Sequence, residues 1–437
     1  MGRWSRYLLL AALSTLLLAA CLSDSRVIVL GDSPPTVDRI AYIGNDNNVY
    51  TINGDGTDRQ RLTQLDFGPV VRRTSLGFPQ VRTPFYAWPT WSPDGQKIAV
   101  SRVVTEGTPA DGIELRSIDL ASDVTNGRET VVFTNTPGAG QVALGAPHYI
   151  YWHPDSERVT FLAANPGGLT LYLGPVDGSD DVEEVISGGP LYFTWSPDGG
   201  SALFHVGQEL LLAQSADAGK RKLLPPEDLT YRAASWSYDS ARMAFIDDSV
   251  FGGHTLFAAD ADGENPEVIA GVGTRTAFMW SPTNDLIAFS DTTDNTVPYH
   301  SALTVVDTAT HEVKVAINEP ILAFIWSPDG SRIAYVSIDR AAQRFSWKVL
   351  AMDGTLLRVL TDFIPSNDLF TMLSFFDQYA YSNSLWSPDG TQLVFSGQVP
   401  RPDGSVALGD EVFVIDVDDD QPPVAIADGS LAFWSWN

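Results

Sequence analysis

Two segments of the chain concentrate side chains that bind planar or negatively charged groups. Residues 363–384 carry six aromatic side chains, and residues 64–88 combine aromatic side chains with three arginines. Aromatic rings stack on sugars, peptides and other planar groups, and arginine clamps carboxylates. The alternative is that these side chains pack on one another as a small satellite core. The candidate ligand-binding residues are Arg72, Arg73, Arg82, Phe85, Tyr86, Phe370, Phe375, Phe376, Tyr379 and Tyr381.

Histidines and acidic residues are the other side chains that could bind a metal or take part in catalysis. His148, His254 and His300 fall in segments expected at one end of the fold, but a metal site needs ligands that converge from several elements. The acidic stretches 260–263 and 416–420 lack the ligand spacing of a calcium loop and are better explained as turns. The chain has no Gly-x-Ser-x-Gly elbow, no phosphate loop and no His-Glu-x-x-His motif. We therefore assign no catalytic residue, no metal site and no cofactor.

A repeated tryptophan turn indicates the β-strands that must position these residues. Clear copies of Trp-Ser-Pro-Asp-Gly begin at Trp91, Trp195, Trp326 and Trp386, and degenerate copies begin at Trp152, Trp236 and Trp280, with Trp436 as a terminal relic. Proline at the second turn position and glycine at the fourth favour a type I turn that reverses the chain. The copies recur roughly every 40 to 60 residues, the length of one propeller blade.

Short apolar segments follow each turn and predict a purely β fold. Each repeat contains up to four short strands, which is the blade of a β-propeller. No helix is predicted after the N-terminal segment. The first strand-like segment, residues 39–43, has no tryptophan turn before it, and residues 431–436 supply the missing strand. We therefore predict one all-β propeller over residues 37–437 with eight four-stranded blades (seven is the alternative), closed when the C-terminal strand pairs into the first blade.

The repeat resembles the TolB-type, WD-repeat-like propeller repeats of bacterial envelope proteins. The resemblance covers nearly all of the chain after residue 37 and rests on tryptophan, Ser-Pro-Asp-Gly, an apolar strand and a later Asp-Gly turn. It implies a propeller in the cell envelope. It does not specify a ligand, because the matching residues build turns and blade contacts.

The N-terminus predicts export and a lipid anchor. Arg3 and Arg6 precede an apolar run over residues 7–18, which is too short to span a membrane and is typical of a secretory signal. The following Leu18-Ala19-Ala20-Cys21 resembles a lipoprotein signal-peptidase box. We expect a signal peptide over residues 1–20, lipidation of Cys21, the only cysteine, and a tether over residues 21–36. The protein would then reside on the periplasmic or cell-surface side of the bacterial envelope.

Composition narrows the class of partner. The formal net charge of −27 disfavours nucleic acid and anionic lipid head groups. We therefore expect the protein to attach to the membrane only through its lipid anchor. We also expect the chain to be a monomer.

Strand topology predicts which end of the fold binds a ligand. The 1–2 and 3–4 turns of every blade lie at one end, the tryptophan-turn end, and are short and uniform. The 2–3 loops and the connections between blades lie at the other, the variable end, and contain nearly all the length variation. Long loops on a rigid scaffold are where binding usually resides.

Taken together, these features predict a lipid-anchored binding or scaffold protein of the envelope. Its variable end is expected to bind a protein, a peptide or a glycan. The alternative function is an envelope lyase or hydrolase that acts on polysaccharide or peptide at the mouth of the channel.

Overall fold

The computed structural model describes most of the chain after residue 37. It describes residues 38–65, 70–73, 79–82, 85–103, 113–120, 128–134, 149–165, 168–179, 181–214, 221–223, 232–248, 253–340, 344–352, 356–401 and 404–436. The predicted signal peptide, Cys21 and the tether lie outside these residues, as does His148.

The described residues form an all-β fold. In chain order the strands are β1 (Arg39–Gly44), β2 (Val49–Asn53), β3 (Gln60–Arg61), β4 (Val70–Arg73), β5 (Pro79–Arg82), β6 (Phe85–Trp91), β7 (Lys97–Val103), β8 (Ile113–Asp119), β9 (Arg128–Thr134), β10 (Ile150–Trp152), β11 (Arg158–Asn165), β12 (Gly168–Pro175), β13 (Glu183–Gly188), β14 (Leu191–Trp195), β15 (Ser201–Val206) and β16 (Glu209–Gln214). They continue with β17 (Arg221–Leu223), β18 (Ser235–Trp236), β19 (Arg242–Asp247), β20 (His254–Asp260), β21 (Glu267–Val272), β22 (Arg275–Trp280), β23 (Leu286–Thr292), β24 (Ala302–Asp307), β25 (Val313–Ile317), β26 (Ile321–Trp326), β27 (Arg332–Asp339), β28 (Arg344–Ala351), β29 (Leu356–Pro365), β30 (Gln392–Gln398), β31 (Glu411–Asp416) and β32 (Val424–Trp434).

Two short helices interrupt the strands, contrary to the expectation of none. They are α1 (Asn367–Ser374) and α2 (Phe376–Tyr379), both inside the aromatic segment 363–384. Ser366 begins α1, since its side chain accepts a hydrogen bond from the backbone N–H of Leu369. Two turns of helix are too short to establish a helical period in the sequence, which is why the pattern was missed.

Neighbouring strands group by antiparallel pairing into the predicted repeats. Five sheets of four strands comprise β6–β9, β10–β13, β14–β17, β18–β21 and β22–β25 in sequence order. A ten-stranded sheet has the order β26-β27-β28-β29-β30-β31-β32-β1-β2-β3, and β4 and β5 form a separate hairpin. First strands such as β14 and β26 are buried along their whole length, whereas the fourth strands β13 and β25 are largely exposed. Each group is therefore most deeply packed at its first strand.

Strand β32 belongs to two groups at once. Its first half pairs with β31, from Val424 opposite Val414 to Asp428 opposite Glu411. Its second half pairs with β1, from Leu431 opposite Ile43 to Trp434 opposite Ile40. The end of the chain thus supplies the first strand of the group that begins at Arg39.

Register corrects which tryptophan is the terminal copy of the motif. The Ser435 N–H donates to the Arg39 carbonyl at 2.8 Å, as the Ser92 N–H donates to the Lys97 carbonyl at 2.9 Å. Trp434-Ser435 therefore corresponds to Trp91-Ser92, and Trp436 occupies the position of a turn proline. The sequence alone favoured Trp436 because it is the last tryptophan.

The tryptophan turn is built by its own side chains. In the first copy the Gly95 N–H donates to the Ser92 carbonyl at 2.9 Å, and Gly95 has a φ of +68°, which favours glycine. The Ser92 hydroxyl donates to Asp94 Oδ1 at 2.6 Å, and the same oxygen accepts from the Gln96 N–H at 3.0 Å. The predicted chain reversal is confirmed, with aspartate as the acceptor that stabilises it.

Five of the motif tryptophans also join their group to the one before it through an indole hydrogen bond. The bonds run from Trp91 to the Phe433 carbonyl (3.1 Å), Trp152 to Thr90 (2.9 Å), Trp236 to Thr194 (3.4 Å), Trp326 to Met279 (3.4 Å) and Trp386 to Ile325 (3.3 Å). All five acceptors are backbone carbonyls of a preceding first strand. The repeat therefore encodes contacts between groups as well as turns.

Candidate functional site

The connection between β29 and Trp386 is the most unusual part of the structure, and we call residues 366–384 the insertion. Three residues of the two aromatic segments lie in strands: Phe363 is part of β29, and Phe85 and Tyr86 are part of β6. The insertion starts at a serine junction, where the Ser366 N–H donates to the Ser396 carbonyl at 3.1 Å and the two hydroxyls are 2.9 Å apart. This junction fixes the start of α1 against β30.

Buried aromatic side chains anchor the insertion on the first strands of several groups. Tyr379 stacks on Trp88 with ring centroids 4.8 Å apart and meets the edge of Tyr149 at 5.6 Å. Phe376 contacts Phe324 at 4.8 Å between ring centroids. The two aromatic segments thus meet at the Trp88–Tyr379 contact, and this contact is buried.

Hydrogen bonds extend these anchors along the insertion. The Tyr149 hydroxyl donates to the Gln378 carbonyl at 3.1 Å, and the Tyr381 and Ser235 hydroxyls lie 2.6 Å apart. Asn383 Nδ2 donates to Thr90 Oγ1 at 3.5 Å. The insertion is therefore part of the core that joins these groups.

The predicted ligand-binding residues separate by burial. Phe376 and Tyr379 are 1% and 3% exposed, so in this conformation neither offers a surface to a ligand. Phe370 and Phe375 are 42% and 45% exposed and remain accessible. Tyr381 is half-buried and engaged with Ser235. Phe376 and Tyr379 therefore fit the satellite-core alternative, whereas Phe370 and Phe375 remain candidate ligand-binding residues.

The other predicted residues lie on strands outside the insertion. Tyr86 is buried and its hydroxyl donates to Glu129 at 3.3 Å, while Phe85 is half-buried against the core. The three arginines lie on the β4–β5 hairpin, where Arg72 is opposite Gln80, Arg73 is opposite Pro79 and Arg82 is opposite Val70.

Aromatic side chains meet where the insertion contacts the beginning of strand β28. The Phe345 ring lies 6.1 Å from Phe370 and 6.3 Å from Phe363, and Phe363 stacks on Trp347 at 5.7 Å. We give the name aromatic surface to Phe345 and Phe370, which are in contact, together with the exposed side chains of Ile364 and Phe375 on either side of Phe370 in the sequence. Sequence reasoning missed Phe345 because it lies outside the two aromatic segments, and it missed Ile364 because that residue is not aromatic.

At the tryptophan-turn end, two adjoining cavities open between the turns. The larger one, of about 360 Å³, is the turn-end cavity; its floor includes Ala380, Tyr381 and Ser384 of the insertion. Its walls are Pro197, Trp236, Tyr238, Met279, Trp280, Ser281, Pro282, Ile325, Trp326, Pro328 and Trp436. The smaller cavity, of about 280 Å³, shares Pro197, Tyr381 and Trp436 with it. The sequence assigned this end a purely structural role, because its turns are short and uniform.

Two titratable groups have shifted pKa values: Asp377, which belongs to the insertion and is half-buried, and His300, which is buried beside it. Burial raises the pKa of Asp377 to about 7, although a hydrogen bond from its own backbone and the positive charge of Arg232 oppose the shift. Burial lowers the pKa of His300 to about 3, with Arg275 and Arg232 adding to the effect. His300 Nδ1 lies 2.9 Å from the Ser290 hydroxyl. At neutral pH His300 is therefore uncharged.

We expect Asp377→Asn to stabilise the protein more at pH 8 than at pH 5. The folded-state pKa of Asp377 lies above its ordinary value of 3.8, so the contribution of its protonated form is complete below about pH 4 and is lost as the pH rises through about 7. Because the side chain is half-buried rather than wholly enclosed, we expect the gain in the free energy of unfolding to be about 1 to 2 kcal/mol larger at pH 8 than at pH 5. Urea unfolding of both proteins across this pH range measures it.

The matched control for this prediction is Asp198→Asn. Hydrogen bonds from Ser196 and from the backbone N–H of Gly200 lower the pKa of Asp198, so its charged form is the stabilising one. Its replacement should give no stabilisation at pH 8. Equal pH profiles for wild type and Asp377→Asn would show that Asp377 is not held in a poorly solvated site.

The remaining candidate residues make local contacts. His254 Nδ1 contacts Asp248 Oδ1, and no group of three or more His, Cys, Asp or Glu side chains converges as a metal site within the described part of the chain. In the acidic stretch 260–263, Asp260 accepts from Asn265 Nδ2 at 2.8 Å and its carbonyl accepts from the Gly263 N–H at 2.8 Å. Asp416 likewise accepts from the Asp418 and Asp419 N–H groups at 2.8 and 3.1 Å. Both acidic stretches are hydrogen-bonded turns, as predicted.

Comparisons with known proteins give distant structural similarities. No family model and no curated protein matches the chain. It is similar to an oligogalacturonate lyase in complex with manganese (14% identity, TM-score 0.45, covering 64% of this chain and 76% of that chain). It is also similar to TolB from Acinetobacter baumannii (15% identity, TM-score 0.39, covering 78% of this chain and 83% of that chain). Among the described residues, no helix is long and apolar enough to cross a membrane.

Proposed function

We propose that this chain is a lipid-anchored binding protein of the bacterial cell envelope that takes a protein, peptide or glycan ligand on its variable end. The observation that carries the proposal is the aromatic surface, which displays Phe370 and Phe375 on an insertion anchored by buried neighbours. Exposed aromatic side chains on a rigid support bind partners at little entropic cost. The acidic chain is expected to act as a monomer and to avoid nucleic acid.

The scaffold we propose is a closed propeller of eight blades. The five four-stranded sheets supply five blades, β26–β29 a sixth, and Trp386 with β30, β31 and the first half of β32 a seventh. The eighth comprises the second half of β32 with β1, β2 and β3. The indole bonds between successive groups and the contact of Trp91 with Phe433 support closure of the ring at β32.

Replacing both exposed phenylalanines is the test of the binding site. We expect Phe370→Ala/Phe375→Ala to lose capture of the envelope ligand, because it removes the two exposed aromatic rings of the insertion. The measurement is crosslinking and affinity capture from native envelopes, with the captured ligand treated by protease or by glycosidase to identify its class.

The control removes exposed apolar area elsewhere. Val313→Ala/Val424→Ala changes two side chains that are 55% and 59% exposed on other strands. It should capture the same ligand as the wild type. Identical captured sets from all three proteins would place the ligand away from the aromatic surface.

The proposed anchor is tested separately at Cys21. We expect Cys21→Ser to abolish incorporation of labelled palmitate and to release the protein from the membrane fraction, because an acyl anchor requires the thiol. Cells that express each protein are labelled and fractionated. Labelling of the serine variant at the wild-type level would reject the anchor while leaving the binding proposal intact.

A further inference from the structure

The walls of the turn-end cavity suit an apolar side chain. Four indoles, three prolines, Met279 and Ile325 line a volume of about 360 Å³, and none of the described residues around it is charged. Apolar cavities of roughly 150 Å³ already take up a benzene ring. This cavity therefore has room for a large side chain and part of the backbone that bears it.

The turns around the mouth supply negative charge. Asp198, Asp239 and Asp329 directly follow the wall residues Pro197, Tyr238 and Pro328, and all three aspartates are exposed. One carboxylate oxygen of each accepts from the serine of its own turn at 2.6 to 2.7 Å. Hydrogen bonds from that serine and from the backbone contribute to a lowered pKa for Asp198, so this carboxylate is ionised at neutral pH.

The aromatic wall itself is compatible with cations. The Arg242 guanidinium lies 5.8 Å from the Trp280 ring centroid while it pairs with Glu267 at 3.1 Å. Indole faces attract cations through their quadrupole. The preference for a basic ligand therefore depends on the three rim aspartates, while the indole wall tolerates positive charge.

We propose that the turn-end cavity binds an apolar side chain of a basic peptide. The side chain lies between the indoles, and flanking lysine or arginine side chains pair with Asp198, Asp239 and Asp329. A basic peptide is the occupant that meets both features at once, since it carries an apolar group and positive charge in a short span. This site lies at the opposite end from the aromatic surface and does not depend on the function proposed for that surface.

Titration calorimetry with three synthetic peptides tests the proposal on the purified full chain. The probes are acetyl-Lys-Phe-Lys-amide, acetyl-Lys-Ala-Lys-amide and acetyl-Glu-Phe-Glu-amide. We expect the first to bind at least about 10-fold more tightly than either of the others, because it alone has both the ring and the charge. Equal affinities for the Lys-Phe-Lys and Glu-Phe-Glu peptides, or no binding of the first up to its solubility limit, would overturn the proposal.

Two variants locate the binding in the cavity. Ala380→Phe fills the cavity from its floor, and Tyr238→Arg places positive charge at its rim on a side chain that is already 39% exposed. We expect each to weaken Lys-Phe-Lys binding by about 10-fold or more. Since Tyr238→Arg changes an exposed position, it remains informative if Ala380→Phe fails to fold. Unchanged binding in folded Tyr238→Arg would place the peptide elsewhere.

A charge-matched pair tests the rim. Asp198→Asn/Asp329→Asn keeps the turn acceptors and removes two charges beside the cavity. Asp177→Asn/Asp262→Asn removes two charges from turns that join a third strand to a fourth strand, and neither residue lines the cavity. We expect Asp198→Asn/Asp329→Asn to weaken binding of the Lys-Phe-Lys peptide about 3- to 10-fold at low salt, with a smaller effect at high salt. The Asp177→Asn/Asp262→Asn variant should bind the peptide as the wild type does. Equal effects of the two pairs would mean that only the overall charge of the protein matters, which contradicts the proposed site.

Discussion

Phe376→Ala is expected to lower the free energy of unfolding by about 3 to 5 kcal/mol. The Phe376 side chain is 1% exposed, packs on Phe324 at 4.8 Å between ring centroids and meets the His300 ring at 6.3 Å. Its removal leaves a cavity where α2 contacts the first strands β22 and β26. The loss should be large because these strands are buried and have little freedom to close around the space.

Phe375 is the matched control, since it is the same residue type at the adjacent position. It is 45% exposed, so Phe375→Ala removes little buried area and should cost no more than about 1 kcal/mol. Urea unfolding monitored by tryptophan fluorescence compares the two variants. Similar losses would mean that the insertion is not packed as the structure has it.

Gly397→Ala is expected to destabilise the protein by about 3 kcal/mol. Gly397 has a φ of +143°, and a Cβ atom there would lie 2.1 Å from the Ile364 carbonyl oxygen and 2.8 Å from the Ser366 nitrogen. These neighbours are backbone atoms, so the clash is relieved only if the end of β29 moves. That movement would disturb the pairing of Pro365 with Gly397 and the serine junction that starts the insertion.

The control for this prediction is a glycine in an open site. Gly271 lies in β21, and a Cβ atom built there meets no heavy atom within 4 Å. Gly271→Ala should change the free energy of unfolding by less than about 0.5 kcal/mol. Both variants are compared by thermal and urea unfolding. A Gly397→Ala protein as stable as Gly271→Ala would show that β29 and β30 are not in close contact at this point.

The regular parts of the fold were predictable because their causes are local. The turn at Trp91 depends on Ser92, Asp94 and Gly95, which lie within five consecutive residues and bond to one another. The pairing of residues 431–434 with β1 was also predictable, because a first strand was missing at one end of the chain and available at the other.

The candidate sites were less predictable because burial depends on distant partners. Phe375 and Phe376 are identical neighbours in the sequence, yet one is exposed and the other is enclosed by Phe324 and His300. The two helices were missed for a related reason: α1 has only two turns, and its buried residues Leu369, Met372 and Leu373 stand among exposed aromatic ones.

The sequence by itself determined the all-β class, the tryptophan turns and the segments that pair at the two ends of the described chain, because each follows from local turn chemistry and strand patterning. Tertiary structure decided which aromatic side chains stay accessible and that the tryptophan-turn end contains a cavity. Those outcomes arise where repeats meet: Trp436 takes the place of a turn proline, and Ala380 and Tyr381 arrive from the insertion to form the floor. Convergence of residues that are far apart in the chain leaves no signal in any one repeat, and for that reason it had to be read from the structure.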